Sequence, residues 1–346
     1  MTVIFKLLLI NFFITSQILS QTPIYYPGYP KIIDSLRAPG SGASVPLITD
    51  LDKDGQKEIA FVVAGLASPF YMLYVIKSNG IFSDGFPKGY NTSIRNLASG
   101  DVDGDGYIDI AIRFYNSIDV IDRFGNSLPG FPISYIDGDI SPSQIISLYD
   151  LDNNGKLEII VNRLRELCVF NFNGEMRNGW PQSIVGQARM NPAIGDIDND
   201  GDAEIIFATY KQLNAYPWAD SATLRIYRSD GSVFSDNWPY YYDSLYSNWG
   251  ASPSIILNNN NIDSTVILMV SDGRWDNTGN RINRLTKYNV NGDILNQNYQ
   301  STINGLGTLV IGDVNKDGSL EYAVGGSGYP NLTLYSANLE KLNGWP

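Results

Sequence analysis

No histidine occurs anywhere in the 346 residues, which removes Ser-His-Asp triads, histidine general bases and the usual zinc sites together. A lone cysteine, Cys168, allows no disulfide within the chain. Its place in the apolar run Leu167-Cys168-Val169-Phe170 makes it a buried, inert thiol. Cations are few: 24 Lys and Arg against 36 Asp and Glu leave a formal charge of -12. Such a surface has nothing with which to track nucleic acid or anionic lipid. The apolar stretch near the N-terminus, Leu7 to Ile14, is shorter than the ~20 residues a membrane span needs.

What is abundant is order-forming. Hydrophobic residues make up 43% and aromatic residues 12%, a composition that supports a large β-rich core and argues against disorder. The early Lys6, the apolar core after it and the polar stretch Thr15 to Ser20 read as a secretory signal over residues 1–20, with cleavage near Ser20. No cysteine follows it to carry a lipid anchor. No membrane span is expected once the signal is removed.

The chain is organised around an acidic loop that recurs five times. Its fullest copy is Asp196-Ile197-Asp198-Asn199-Asp200-Gly201-Asp202-Ala203-Glu204, followed by the apolar run Ile205-Ile206-Phe207-Ala208. Side chains at positions 1, 3 and 5 converge, position 7 offers a backbone carbonyl, and a carboxylate at position 9 closes the set. Hard oxygen donors in that number suit Ca²⁺. An EF-hand closes at position 12 and enters a helix, whereas position 12 here is Phe207 inside a strand-like segment. Counting positions 1, 3, 5, 7 and 9, the candidate ligands are Asp50, Asp52, Asp54, Gln56 and Glu58, then Asp101, Asp103, Asp105, Tyr107 and Asp109. The third loop offers Asp150, Asp152, Asn154, Lys156 and Glu158; the fourth Asp196, Asp198, Asp200, Asp202 and Glu204; the last Asp313, Asn315, Asp317, Ser319 and Glu321. Eighteen of the 36 acids stand at positions 1, 3, 5 and 9, so five bound Ca²⁺ would bring the formal charge to about -2. Tying strand to loop in a chain without disulfides is the role expected of the ions.

First ligands at 50, 101, 150, 196 and 313 are separated by 51, 49, 46 and 117 residues. The last step is double. It predicts a repeat near residue 255 without a metal loop, where Leu257 stands in place of the first aspartate. Around each loop lie a strand before, a strand after and an outer hairpin, as in Leu224 to Arg228 turning at Ser229-Asp230-Gly231 into Ser232 to Phe234. Five of the six repeats close on an aromatic–proline pair: Phe86-Pro87, Phe131-Pro132, Trp180-Pro181, Trp238-Pro239 and Trp345-Pro346. Four short antiparallel strands in about 50 residues make a β-propeller blade, and a stacked solenoid uses shorter repeats. The expected fold is all-β, with blades over about 43–87, 96–132, 143–181, 190–239, 250–300 and 307–346 within a propeller domain of 21–346. Ile24 to Pro30 resembles a blade-ending strand with nothing before it. Two rings remain open: seven blades with the last incomplete, or six with an extra edge strand.

The repeated Asp-x-Asp/Asn-x-Asp/Asn-Gly-x-x-Asp/Glu loop followed by Ile or Tyr resembles the FG-GAP/VCBS-type calcium-binding repeats, also found in the propeller of integrin alpha subunits. The resemblance covers about residues 40 to 346 and implies the propeller and calcium. The Phe-Gly and Gly-Ala-Pro signatures are only loosely present, as in Gly250-Ala251-Ser252-Pro253, so integrin-like ligand binding is not implied.

On the face away from the metal loops, aromatic residues gather in blades 4 and 5. Tyr216, Trp218, Tyr241, Tyr246, Trp249, Arg274 and Trp275 are the candidate ligand-binding residues, because flat rings beside Arg and Asp suit stacking and hydrogen bonding to sugars. The competing reading is that such rings wedge between blades. The expected function is a secreted, calcium-stabilised binding or adhesion module for an extracellular glycan or protein. The alternative is a polysaccharide lyase or glycosidase on the same scaffold. Outside the metal pattern there is no Asp/Glu couple of the kind glycoside hydrolysis needs, though a lyase could use Tyr or Arg.

Overall fold

The computed structural model describes residues 46–64, 71–134, 145–163, 166–184, 191–209, 223–241, 252–257, 265–271, 281–302, 306–326 and 332–344. All regular structure among them is β, arranged as six antiparallel sheets. The first runs β1 (Leu47–Thr49), β2 (Glu58–Ala64), β3 (Tyr71–Ile76) and β4 (Lys88–Tyr90), and the second β5 (Ile94–Gly100), β6 (Asp109–Phe114), β7 (Ser117–Ile121) and β8 (Ile133–Ser134). The third holds β9 (Ile146–Tyr149), β10 (Glu158–Asn162), β11 (Glu166–Phe170) and β12 (Gln182–Ser183); the fourth β13 (Ala193–Gly195), β14 (Glu204–Thr209), β15 (Thr223–Tyr227) and β16 (Tyr240–Tyr241). The fifth comprises β17 (Ser252–Ile256), β18 (Val266–Ser271), β19 (Arg281–Tyr288) and β20 (Ile294–Thr302), and the sixth, with three described strands, β21 (Leu306–Gly312), β22 (Glu321–Gly326) and β23 (Leu332–Tyr335). Neighbours in sequence are neighbours in each sheet, which is the up-and-down order of a propeller blade.

The core lies between blades. Side chains alternate along a strand, so a middle strand covered on both faces must be apolar at every position. In β10, Ile159 and Val161 pack toward the second blade with Ala111, Val120 and Ile118, while Ile160 packs toward the fourth with Ile205 and Phe207. Strand β11 divides likewise: Cys168 joins the first cluster, Leu167 and Val169 the second. Burial pushes the Cys168 thiol up to about 12, so it stays protonated and inert.

One detail departs from the expected repeat grammar. Ser232 to Phe234 forms only an isolated bridge, Tyr227 with Val233, and the fourth strand, β16, begins after Trp238-Pro239. The same holds at β4, β8 and β12, each of which starts beyond its aromatic–proline pair. The blades therefore extend a few residues past the prolines. The physical reason is that the pair belongs to the 3–4 connection: Trp180 and Trp238 are buried, and their indole N–H groups donate to Ser229 O (3.1 Å) and Val290 O (3.0 Å) in the next blade. The four pairs at 86–87, 131–132, 180–181 and 238–239 are cis.

The glycine before three of these pairs is required sterically. A Cβ on Gly85, Gly130 or Gly179 would come within 1.9–2.0 Å of a carbonyl oxygen of the neighbouring blade, and all three have φ between +82° and +90°. The fifth repeat, whose sequence lacks the acidic loop, is present as β17 to β20, with Leu257 directly after β17. The segments 1–20 and Ile24 to Pro30 lie outside the described residues.

Candidate metal loops

The acidic loops join the first and second strands of their blades: β1 to β2, β5 to β6, β9 to β10, β13 to β14 and β21 to β22. Each is wound by two left-handed residues. Position 4 has φ from +53° to +77° (Lys53, Gly104, Asn153, Asn199, Lys316) and the glycine at position 6 from +82° to +101°. Asparagine and glycine are the residues that adopt this backbone most readily. The position-7 N–H of Gln56, Tyr107, Lys156, Asp202 and Ser319 donates to the side-chain oxygen at position 5, over 2.7–3.0 Å. In four loops the glycine N–H donates to the first aspartate, over 2.7–3.1 Å.

Position 2 is the anchor. Leu51, Val102, Leu151 and Ile197 are buried in the interblade clusters. Their N–H groups, and that of Val314, donate to one oxygen of the closing carboxylate over 2.8–3.0 Å. That carboxylate is almost wholly buried in every loop, from 0% exposed at Glu204 to 4% at Glu321. Its second oxygen has no hydrogen-bond partner at Glu58 or Glu204, and the same is true of one oxygen each of Asp50, Asp101, Asp152 and Asp198. Buried anionic oxygens without partners are costly.

The structure brings positions 1, 3 and 9 together in four loops, with ligand atoms within 4.8 Å of one another: Asp50, Asp52, Glu58; Asp101, Asp103, Asp109; Asp150, Asp152, Glu158; and Asp196, Asp198, Glu204. Position 5 (Asp54, Asp105, Asn154, Asp200) is not in that group and holds the position-7 N–H. In the fifth loop, Asn315 Nδ2 donates to Asp317 (2.9 Å) and lies 3.5 Å from Glu321 Oε1.

Crowding of carboxylates perturbs their titration. Burial, assisted by Asp103, Asp105 and Asp101, pushes Asp109 up to about 7. Burial with Asp198 and Asp200 pushes Glu204 up to about 8. Glu58 and Glu158 are raised by burial too. Three cations answer this charge, and none was legible in the loop pattern. Lys77 meets Asp52 at 2.6 Å; Arg177 meets Asp152 at 3.1 Å and Glu158 at 3.5 Å; Arg228 meets Asp198 at 3.0 Å, Asp200 at 3.2 Å and Glu204 at 3.7 Å. They come from the 3–4 turn, 19 to 30 residues away in sequence, which folds back over the loop.

Of the seven ligand-face candidates, Tyr216, Trp218, Tyr246, Trp249, Arg274 and Trp275 lie outside the described residues, and Tyr241 stands in β16 opposite Thr223. The neighbouring Tyr240 ring packs against Tyr288 at 5.3 Å, which is the wedge between blades.

Antiparallel four-stranded sheets packed face to face, with an acidic loop at the head of five of the six, define a β-propeller. Residues 150–207, from the third acidic loop through the fourth and into β14, match the model of the FG-GAP-like repeat. The chain thus has a propeller fold that carries an FG-GAP-like repeat over residues 150–207. A search of curated proteins finds no match. Among solved structures, the rhamnogalacturonan lyase YesW is similar over 90% of this chain and 60% of its own, with 15% identity and a TM-score of 0.56. The exotype rhamnogalacturonan lyase YesX is similar over 89% and 60%, with 13% identity and a TM-score of 0.54. The V. cholerae biofilm matrix protein Bap1 is similar over 87% and 79%, with 12% identity and a TM-score of 0.45. This chain thus spans about 60% of the length of the two lyases. No helix among the described residues is long and apolar enough to cross a membrane.

Proposed function

We infer that the chain is a secreted, calcium-stabilised propeller that works outside the cell as a binding or adhesion module for a glycan or protein. The observation that carries the calcium reading is the buried closing carboxylate with an oxygen that has no hydrogen-bond partner, in a group with two further carboxylates. All-oxygen donors fit a hard divalent cation. Positions 1, 3 and 9 would hold it, with position 5 and the position-7 carbonyl completing the set. A bound Ca²⁺ supplies charge neutralisation that Lys77, Arg177 and Arg228 supply only in part. The chain's own residues hold the loop open for it: the position-2 anchor orients the closing carboxylate, and the left-handed pair turns the backbone.

Extracellular modules bind Ca²⁺ at about 10⁻⁴ to 10⁻³ M, so each site adds roughly 1.4–2.7 kcal/mol at about 10 mM ion. Thermal melts of metal-stripped and calcium-loaded protein, with metal analysis, test this. The melting temperature is expected to rise with about five ions bound, and equal melts would refute the reading.

The second reading is a polysaccharide lyase, raised by the fold shared with YesW and YesX over most of this chain. An ultraviolet-absorbing unsaturated product from an acidic polysaccharide would favour it.

A further inference from the structure

The turn between β3 and β4 and the turn between β7 and β8 stand beside the first two acidic loops. Between them is a cavity of about 320 Å³ lined by Asp52, Lys77, Ser83, Tyr107, Arg123 and Phe124, among others. Its volume is at the lower end of the roughly 300–1,000 Å³ typical of small-ligand sites, a size suited to one sugar unit.

Three features point to an occupant. The Arg123 guanidinium is held 3.5 Å from the centre of the Tyr107 ring and 4.7 Å from that of Phe124, with no carboxylate or carbonyl bonded to it among the described residues. A planar fork fixed by stacking presents its N–H edge ready for an anion. Ser83 is 6% exposed and its hydroxyl has no hydrogen-bond partner, although its backbone N–H donates to Val75 O. A buried hydroxyl left this way favours a ligand that satisfies it. Phe124, 47% exposed, adds an apolar wall of the kind a sugar ring packs against.

We propose that this cavity is a calcium-dependent site for a carboxylated sugar unit. Arg123 and Lys77 receive the carboxylate, Ser83 and the pocket-lining Asp84 meet hydroxyls, and Phe124 packs on the ring. The calcium dependence rests on the reading of the loops given above. Asp52 is both a wall of the cavity and position 3 of the first loop, and it is the residue that holds Lys77 at 2.6 Å. Without an ion, Asp50, Asp52, Asp54 and Glu58 oppose an incoming anion, and Lys77 is engaged by one of them. With that charge offset by an ion held by Asp50, Asp52 and Glu58, Lys77 would be less tightly held by Asp52 and could meet the ligand carboxylate. By linkage the ligand must then tighten calcium by the same factor.

The test titrates D-glucuronate, with D-glucose as the uncharged control, into metal-stripped and calcium-loaded protein, followed by ligand-observed NMR and calorimetry. Glucuronate is expected to bind only the calcium-loaded form, about tenfold more tightly than glucose, with Arg123→Gln and Ser83→Ala each weakening it by about tenfold. The calcium-induced rise in melting temperature, measured without sugar, is expected to survive both substitutions. A normal calcium shift with no saturable glucuronate binding, with glucose bound equally, or with binding indifferent to both substitutions overturns the site and leaves the loops standing. No calcium shift overturns the loop reading itself, and glucuronate binding equal in the two forms overturns the coupling.

Discussion

At the residue scale the decisive groups are the closing carboxylates, whose burial sets how the protein responds to pH. Asp109 at about 7 and Glu204 at about 8 lie far above the ordinary carboxylate range. A raised carboxylate pKa means the folded state binds more protons than the unfolded state. For the metal-free protein, stability therefore falls as pH rises from about 4 through 8, and the loss is complete above the folded values. Calcium reverses the trend, because protons compete for the same oxygens and affinity grows with pH. Melts at pH 5.5 and 8.5, with metal removed by resin and again with Ca²⁺ restored, check this: the stripped protein is expected to melt higher at the lower pH, and the calcium-induced rise to be larger at the higher pH.

At the scale of the element, the acidic loop and the 3–4 turn are each built around one backbone requirement. The position-2 side chain joins loop to core, so Leu151→Ala is expected to cost about 2–5 kcal/mol in chemical denaturation and to weaken calcium binding as well. In the turn, Gly130 has φ +90° and its missing Cβ would stand 2.0 Å from Asn173 O. Gly130→Ala is expected to cost at least about 2 kcal/mol. Gly155, also left-handed but with open space around it, is expected to tolerate alanine better. The aromatic–proline closure was visible in the sequence as a recurring mark. Its place before the fourth strand was not, because only the partner carbonyls in the next blade show what the tryptophan N–H is for.

For the whole molecule, the packing layers run in series. Apolar clusters join blades 1 and 2, 2 and 3, 3 and 4, 4 and 5, and 5 and 6. On the outer faces of the first and sixth blades, Ile48 is 65% exposed, Val310 60% and Val314 55%. Val314 holds the position-2 place that is buried in Leu51, Val102, Leu151 and Ile197. Ile48→Ser and Val310→Ser are accordingly expected to change stability by no more than about 0.5 kcal/mol, measured by denaturant midpoints. A loss comparable to that of Leu151→Ala would mean these two faces are covered in solution.

The sequence by itself determined the repeat, its period, the skipped fifth loop and the oxygen-rich donor set, because local spacing of Asp, Gly and apolar residues encodes a loop entering a strand. It also determined that Cys168 would be a core residue, since an unbroken apolar strand must be covered on both faces. Only the tertiary structure decided that position 5 lies outside the group of positions 1, 3 and 9 and accepts from the position-7 N–H. Only it, too, set Lys77, Arg177 and Arg228 over the loops and Arg123 against Tyr107. These cation contacts join the 3–4 turn to the acidic loop of the same blade, 16 to 30 residues earlier in the chain, and the local spacing of neither segment records how the turn folds back.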